Sequence, residues 1–267
     1  MNVRWNKLAG CAGLCLFALA SHADWLPGDL HKMHYPQTPD PNGWDVKADG
    51  QYTIADDFRC AETGPITHIH FWGSYRGNEV PPGPPAGVLN NIQFTIWSDI
   101  PDPDGDGPLY SQPDELLWSY NTMNYGPELV KIREEPAGNQ GWFDPVAGEV
   151  VPNDHTRFFQ YNVELVPEEP FLQQEGTIYW LGIHAVSPMG FEFGWKTSGA
   201  EQFNDDAVAD DLDGGWIELR DPLSPDTPPP SLDMAFVIVP EPSTTALVMG
   251  LLAVGALLTG RRLQSRN

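Results

Sequence analysis

Three aspartates at alternate positions, Asp102, Asp104 and Asp106, are the residues whose type and spacing best suit metal binding. With glycine in the sixth place, they match the first half of an EF-hand-type calcium loop. The carbonyl of Pro108 would be the next ligand, and Glu115 is the acid available to close the loop, although the twelfth position holds proline. The sequence therefore predicts a calcium site. The alternative is a solvated acidic turn, because Asp, Pro and Gly all favour turns.

His68, His70 and Trp72 alternate along a predicted strand, so their side chains share one face of it. Two imidazoles at this spacing can chelate zinc or copper, and His184 is the obvious third ligand. Nothing in the sequence places His184 beside the pair, and a zinc site needs at least three protein ligands. We therefore expect a solvated structural face without a metal.

The 10 tryptophans are a high count, and aromatic faces stack well on sugar rings and other apolar planes. For most of them packing in the core is the expected role. Six lie in or near predicted strands: Trp72, Trp97, Trp118, Trp142, Trp195 and Trp216. Trp97 differs from the others. Ile92, Phe94 and Ile96 take the opposite face of its strand, which predicts that its indole faces solvent and counts towards glycan binding.

Enzyme motifs of fixed spacing are missing from the sequence. It holds no Gly-x-Ser-x-Gly, no His-Glu-x-x-His, no phosphate-binding glycine-rich loop and no Cys-x-x-Cys. The two carboxylates of a glycosidase have no fixed sequence spacing, so this class is not excluded, but no pair of acids is favoured. We predict no catalytic residue and expect a protein that is not an enzyme.

Alternation of apolar and polar residues, the period of a half-buried strand, recurs between residues 24 and 240. It is strict in 159–165 and is repeated in 92–96 and 191–195. Other candidate strands are 51–58, 66–73, 115–120, 128–133, 177–184, 215–220 and 232–239. Pro- and Gly-rich connectors separate them, and no convincing helical period appears. About ten short strands predict an all-β fold over 24–239, a single jelly-roll-like β-sandwich.

Acidic charge is concentrated in the middle of the chain. Five of the 14 Lys and Arg, but one of the 37 Asp and Glu, lie in the end segments 1–23 and 240–267, so residues 24–239 carry a net charge of −27. A surface this acidic repels phosphate backbones, so nucleic acid is not an expected partner. It suits divalent cations or neutral polymers better, and it also favours solubility.

Residues 1–23 have the three parts of a secretory signal peptide. Arg4 and Lys7 provide the positive start, an apolar stretch follows, and small residues place the expected signal-peptidase cut after Ala23. Two of the three cysteines lie within this segment. Cys60 alone remains in the middle of the chain, where it cannot form an internal disulfide, and we expect it to be a small buried core residue.

The segment 240–267 has the parts of a membrane anchor. Its run 243–260 carries no charge and is followed by Arg261 and Arg262. Eighteen helical residues span about 27 Å, close to the hydrocarbon thickness of a bilayer. The sequence predicts a transmembrane helix over 243–260, with the arginines in the cytoplasm and the upstream chain outside.

The triplet Pro240, Glu241 and Pro242, followed by the apolar run and by Arg261 and Arg262, resembles the PEP-CTERM sorting domain. The resemblance covers a small part of the chain, but all three parts of the motif are present. It implies recognition by an exosortase in a Gram-negative bacterium and cleavage near the triplet. It also implies an inner-membrane-anchored precursor and then release or attachment at the cell surface, often in organisms that make exopolysaccharide.

The middle of the chain resembles an uncharacterised family of domains found in exported bacterial proteins. The resemblance covers most of residues 31–239, and the family brings no activity with it. The stretches that carry it are Ile54-Ala55-Asp56-Asp57-Phe58, Ile69-His70-Phe71-Trp72-Gly73-Ser74, Phe193-Gly194-Trp195-Lys196-Thr197-Ser198, Phe203-Asn204-Asp205-Asp206-Ala207 and Asp233-Met234-Ala235-Phe236-Val237.

Three classes of function fit these features. The first is an exported, exosortase-sorted surface or matrix protein with a structural or adhesive role, because the sorting tail is specific and catalytic motifs are missing. The second is a module that binds carbohydrate, with exopolysaccharide as its partner. The third is an exported glycan hydrolase. A row of exposed aromatic rings favours the second class, and a cleft with two facing carboxylates favours the third.

Overall fold

A computed structural model describes residues 24–101, 110–136, 138–166, 168 and 170–239. This part of the chain forms sixteen strands, β1 to β16 in chain order: Trp44–Lys47, Ile54–Arg59, Gly64–Pro65, His68–Tyr75, Asn91–Ile100, Gln112–Asn121, Val130–Glu135, Gln140–Asp144, Glu149–His155, Phe158–Glu164, Leu172–Gln173, Ile178–Val186, Phe193–Lys196, Val208–Asp210, Trp216–Glu218 and Phe236–Val239.

Helical structure within the described residues is limited to three 3-10 turns, Arg76–Asn78, Thr122–Asn124 and Pro127–Leu129. None of these described helices has the length and apolar character needed to cross a bilayer. The predicted signal peptide 1–23 and the predicted sorting tail 240–267, with its transmembrane run, lie outside the described residues.

Two large sheets contain most of the strands. The larger sheet has the order β7-β10-β4-β13-β1-β8-β9, with β16 also paired to β4, and the smaller has the order β15-β14-β2-β12-β5-β6. β3 and β11 form a separate two-stranded ribbon. Pairing is antiparallel except between β1 and β8, which run parallel. Along the edge of β4 opposite β10, β16 pairs with its first half and β13 with its second half.

One hydrophobic core lies between the two sheets. Phe71 of β4 meets Phe94 of β5 edge to face, with 5.9 Å between the ring centroids. Phe58 of β2 meets Phe236 of β16 in the same way, also at 5.9 Å. Each contact joins one sheet to the other, so the sheets pack face to face. The predicted all-β class is confirmed, while jelly-roll-like connectivity stays a prediction.

The predicted strands with clear alternation correspond to observed ones. The segments 92–96, 159–165 and 177–184 fall in β5, β10 and β12. The expected burial of Cys60 is also confirmed, because this free thiol is 1% exposed. The sequence missed β1, β3, β8, β9, β11 and β14, which are short or carry polar residues, glycine or proline.

The outer face of the larger sheet is covered over β10 and β4, which corrects one prediction. β10 was expected to be half-buried, but Gln160 and Asn162 on its polar side are both buried. Gln160 Nε2 donates to the carbonyl of Trp25 at 2.8 Å, and Asn162 Nδ2 donates to Asp24 Oδ1 at 3.0 Å. The start of the described chain therefore lies across this face and shields it from water.

Candidate functional site

A groove with a cavity volume of about 520 Å³ lies on the outer face of the smaller sheet. β12 and β5 supply its floor, because their alternate residues face away from the core shared by the two sheets. The lining includes Thr53, Gln93, Thr95, Trp97, Gln112, Asp114, Leu116, His184, Asp210 and Trp216. The groove thus combines two aromatic rings with several neutral and acidic polar groups.

Trp97 and Trp216 are the aromatic residues of the groove. Both are half-buried, and their rings meet edge to face with centroids 6.0 Å apart and an interplanar angle of 84°. Trp97 points away from the main core as predicted, but its indole is half-buried and does not face solvent freely, because it packs with a small cluster formed by Ala55, Trp180 and Val208. The perpendicular rings form a wall and a floor, and they do not form a flat row.

The backbone around Trp97 is irregular in a way that helps to position it. The register between β5 and β6 shifts on both sides of Trp97, whose partner in β6 is Leu116. β-bulges of this kind bend a strand and re-aim a side chain, and they are common beside functional sites. On the other edge, Trp97 pairs directly with Trp180 of β12. The sequence pattern alone gave no signal for this bulge.

Gly182 has no side chain, which leaves space at the floor of the groove. A Cβ atom added to Gly182 would lie 2.2 Å from Thr95 Oγ1 and 3.4 Å from Trp97 Nε1. Thr95 Oγ1 and Trp97 Nε1 are buried and have no hydrogen-bond partner among the described residues. Any larger residue at this position must therefore push the threonine or the indole towards the open side of the groove.

Acidic groups lie beside the aromatic ones. Asp114 and Asp210 line the groove, and Asp99, two residues after Trp97 in β5, accepts a 2.9 Å hydrogen bond at Oδ1 from Trp180 Nε1. Burial raises the pKa of Asp99, and the bond from Trp180 opposes that rise. The groove is therefore neutral to acidic in character, and no Lys or Arg is among its lining residues.

The face formed by His68, His70 and Trp72 differs from the prediction. His70 and Trp72 are 5% and 3% exposed, so this is not a solvated face. Trp25 packs edge to face on Trp72 with centroids 6.1 Å apart, and His70 Nδ1 lies 2.6 Å from Asn162 Oδ1. The covering segment that begins at residue 24 explains the burial, and burial lowers the pKa of His70 to about 4.

His184 lies far from that pair in the architecture. It belongs to β12 of the smaller sheet and faces outward, whereas His70 is on the outer face of the larger sheet. The two imidazoles are therefore on opposite outer faces of the molecule. The expectation that these histidines hold no metal stays a prediction, but the proposed third ligand is not beside the other two.

The predicted calcium loop, with Asp102, Asp104, Asp106 and Pro108, lies outside the described residues. Of its proposed ligands only Glu115 is described. It is an exposed residue of β6, and its backbone N–H donates to Ser98 Oγ at 3.0 Å. Calcium binding at this loop stays a prediction.

The sorting residues Pro240, Glu241, Pro242, Arg261 and Arg262 likewise lie outside the described residues. Val239 at the end of β16 is the last described residue before the triplet. The motif therefore follows directly after a strand of the larger sheet.

Sequence reasoning missed a group of buried carboxylates at the edge of β2. Asp56 occupies a core-facing position between Ile54 and Phe58 and is 0% exposed, as is Asp57. Asp233 joins them and is 6% exposed. Burial, and then the nearby charge of Asp233, raise the pKa of Asp56 well above its ordinary value. The available signal was an aspartate at an inward position of a predicted strand.

A second acidic group lies near the first, but its negative charge is offset by an arginine. Asp205, Asp206 and Glu218 have ligand atoms within 4.8 Å of one another. Among the described residues, they are the group of three His, Cys, Asp or Glu side chains that lie close enough together to hold a metal ion. Arg220 already occupies their midst, with Nη2 at 2.6 Å from Asp206 Oδ2 and 2.7 Å from Glu218 Oε1. This group therefore carries its own cation.

The molecule is thus a two-sheet, all-β domain with an outward-facing aromatic groove and a buried acidic cluster. The chain belongs to a family described as a domain of unknown function (DUF7901), which it matches over residues 33–239. The match confirms that the middle of the chain is an uncharacterised domain. No curated protein and no solved structure matches the chain.

Proposed function

We propose that this chain is an exported cell-surface protein whose β domain, jelly-roll-like in connectivity, binds neutral polysaccharide in the groove lined by Trp97 and Trp216. The single observation that carries the binding is this pair of half-buried, perpendicular indoles on an outer sheet face. A sugar ring stacked on one indole is flanked by the other, which suits one polymer chain lying in a groove.

The polar lining supports a sugar ligand. Gln93, Thr53 and His184 line the groove together with Asp114 and Asp210, so neutral and acidic groups are available for the hydroxyls of a sugar. The net charge of −27 over residues 24–239 repels anionic polymers, so a neutral polysaccharide is the better partner.

Export and sorting are part of the proposal. The signal at 1–23, the Pro240-Glu241-Pro242 triplet and the apolar run 243–260 support passage across the inner membrane and processing by signal peptidase and an exosortase. A polysaccharide-binding domain in this setting would serve an adhesive or matrix role. The catalytic alternative, a glycan hydrolase, would need Asp114 and Asp210 to act as a pair across the groove.

The test is a glycan-array screen of the full chain, kept in a mild detergent because of its apolar C-terminal run. We expect binding to neutral glycans, weakened about tenfold or more by Trp97→Ala, which corresponds to about 1.4 kcal/mol. Gly182→Ala should weaken binding too, because the added methyl collides with Thr95 Oγ1. Incubation of the bound glycan with the protein, followed by a reducing-end assay, separates binding from hydrolysis.

The matched control is Trp44→Ala, which removes a half-buried indole from β1 of the other sheet. It should leave glycan binding unchanged. Equal losses in the Trp97 and Trp44 variants, or the absence of any bound glycan, would contradict the proposed role of the groove. New reducing ends would favour the hydrolase.

A further inference from the structure

The groove on the outer face of the smaller sheet extends over the whole width of that sheet. The sheet has the order β15-β14-β2-β12-β5-β6, so β15 and β6 are its edge strands. The lining includes a residue of every strand or, for β2, the residue directly before it: Trp216, Asp210, Thr53, His184, Trp97 and Asp114. The groove therefore reaches from one edge of the sheet to the other.

The groove crosses the strands obliquely. Its lining along β5 runs from Gln93 to Ile100. Gln93 pairs with His184 of β12, on the side of β15, whereas Ile100 pairs with Gln112 of β6 at the opposite edge. The lining thus shifts along β5 as it crosses the sheet, so the groove is longer than a straight crossing would be.

The groove is larger than a single sugar ring requires. Neighbouring strands lie about 4.8 Å apart, so the backbones of β15 and β6 are separated by about 24 Å. The cavity volume of about 520 Å³ falls within the range of sites that hold drug-sized ligands. Because such ligands are larger than one sugar ring, the groove has room for more than one linked unit.

Both ends of the groove are open within the described part of the chain. Gly214 and Gly215 line the end near β15, and a Cβ atom added to Gly214 would meet no atom within 4 Å. At the other end, Asp114 and Leu116 are exposed residues of the edge strand β6. A polymer chain that lies in the groove can therefore continue past either end.

Aromatic surface lies between these two ends. Trp97 Nε1 is 3.4 Å from a Cβ atom added to Gly182, so the indole leans from β5 over β12, towards the middle of the sheet. Trp216 meets it from β15, with the ring centroids 6.0 Å apart. The carboxylates of Asp210 and Asp114 lie on either side of the indoles, on β14 and β6. Indoles suit stacking on a sugar ring, and carboxylates accept hydrogen bonds from the hydroxyls of neighbouring units.

We propose that the groove binds an internal segment of a neutral polysaccharide, more than one sugar unit long, and does not recognise a single sugar or a chain end. One unit stacks on the indoles of Trp97 and Trp216, and further units extend towards Asp210 on one side and Asp114 on the other. This inference rests on the proposed function, to which it adds the length of the bound segment and its place within the polymer.

The first experiment measures how affinity depends on ligand length. Calorimetric titrations of the full chain in mild detergent use oligomers of one to six units of three neutral unbranched polymers, β-1,4-linked glucose, mannose and xylose, and of any further neutral glycan that binds on the array. In the series that binds, affinity should rise at least tenfold from one unit to six, because each added unit gains contacts until the groove is filled.

The second experiment distinguishes internal segments from chain ends. A long and a short preparation of the same polymer, at equal mass, compete with the bound hexamer. If internal segments bind, the two preparations should compete equally. If chain ends bind, the short preparation should compete better in proportion to its larger number of ends, and the proposal would be wrong.

Asp114→Ala tests the end of the groove at β6. It should weaken hexamer binding about three- to tenfold, the usual contribution of one hydrogen bond, and leave disaccharide binding unchanged. Glu115→Ala is the matched control, because it removes the same charge from the next residue of β6, which is exposed and is not among the lining residues. It should leave the binding of both ligands unchanged.

The outcomes separate this inference from the proposed function. If no glycan binds on the array or in any oligomer series, the proposed function fails and the inference fails with it. If a glycan binds and Trp97→Ala weakens it, but one sugar unit binds as tightly as six, the groove keeps its role and the inference is overturned. Equal effects of Asp114→Ala and Glu115→Ala on the hexamer would also overturn it.

Discussion

Asp45, His155 and Lys196 form a charged triad in the larger sheet, with no side-chain surface exposed. Asp45 Oδ2 lies 2.9 Å from Lys196 Nζ and 2.9 Å from His155 Nε2. Burial alone would raise the pKa of Asp45, but Lys196 and His155 outweigh it and lower that pKa. The triad is thus a place where a single substitution leaves an uncompensated buried charge.

We predict that Lys196→Met lowers the free energy of unfolding by about 3–5 kcal/mol, because Asp45 loses its strongest partner while remaining buried. Denaturant unfolding measures the loss. Arg157→Met is the comparison, since Arg157 pairs with Glu134 at the surface, where such pairs contribute about 1 kcal/mol or less. If the two variants lost similar amounts of unfolding free energy, burial would not make the Asp45–Lys196 pair more important for stability than a surface pair.

His70 gives a pH-dependent prediction. Its pKa is lowered to about 4 by burial and by His68, against the opposing influence of Asn162, Asp24 and Asp29. The stability that depends on neutral His70 is therefore complete above the unfolded value of about 6.5 and is lost as pH falls towards 4.

Between pH 7 and pH 5 the parent should lose about 2 kcal/mol more of its unfolding free energy than His70→Gln does. Denaturant titrations of both proteins at the two pH values measure this difference. Glutamine can still donate to Asn162 Oδ1 but does not titrate, so the comparison isolates the imidazole. If parent and variant lost the same amount of unfolding free energy between pH 7 and pH 5, the lowered pKa of His70 would not be the cause of the loss.

The sequence predicted the positions of some single residues but not of others. Trp97 was predictable, because the apolar residues around it fix the inward face of β5. Trp216, its partner in the groove, lies on β15 at the far end of the smaller sheet order, and only the tertiary fold brings the two together. Asp56 was not predicted, since alternation suggests an apolar residue between Ile54 and Phe58.

At the scale of elements, the short segment at residues 24 and 25 acts as a cover for β4 and β10. Trp25 is 3% exposed and packs on Trp72, while Asp24 bonds to Asn162 and pairs with Arg133 at 3.2 Å. The cover converts the polar side of two strands into a second buried layer. An alternation pattern cannot reveal it, because the covering residues come from elsewhere in the chain.

We predict that Trp25→Ala destabilises the domain by about 3–5 kcal/mol, the usual cost of truncating a large buried aromatic side chain. Chemical denaturation measures it, and exchange of the β10 amides with solvent should increase. Leu26→Ala is the control, because Leu26 is 51% exposed and its truncation should cost within about 0.5 kcal/mol. If both variants lose equally little, the segment is not a structural cover.

Strand prediction succeeded where alternation was long and failed where the chain was short or interrupted. β5 and β12 have ten and nine residues and were found. β9 contains Pro152, and β8 is a five-residue strand with Gly141, so neither has the composition of a central strand. β9 is the edge strand of the larger sheet, where proline is tolerated, while β8 lies next to it and pairs with both β1 and β9.

At the scale of the whole molecule, the sequence predicted an all-β class and an uncharacterised domain in the middle of the chain, but not the order of the strands in the sheets. Strand order depends on long-range pairing, as between β2 and β12, whose residues are more than a hundred positions apart. Local sequence patterns do not indicate which distant strands pair with each other. The predicted roles of the two ends come from motifs alone and call for direct tests.

Replacing Pro240-Glu241-Pro242 by three alanines should leave a full-length species in the membrane, because the proposed exosortase recognition element is gone. Blots of membrane and medium fractions from cells that make the parent or the variant measure this. Exchange of Arg266 for Gln is a mild change outside the triplet and should not alter processing. Normal release of the triplet variant would argue against its role in sorting.

β16 pairs with β4 over four residues, from Phe236 opposite Phe71 to Val239 opposite His68. Any tension transmitted through the chain beyond Val239 enters the fold at this strand, and from its last residue. Because β16 lies against a central strand of the larger sheet, a pull that detached it would open the core at Phe236 and Phe58. The mechanical strength of a tethered molecule would therefore be set by these four residues, whatever the stability of the rest of the fold.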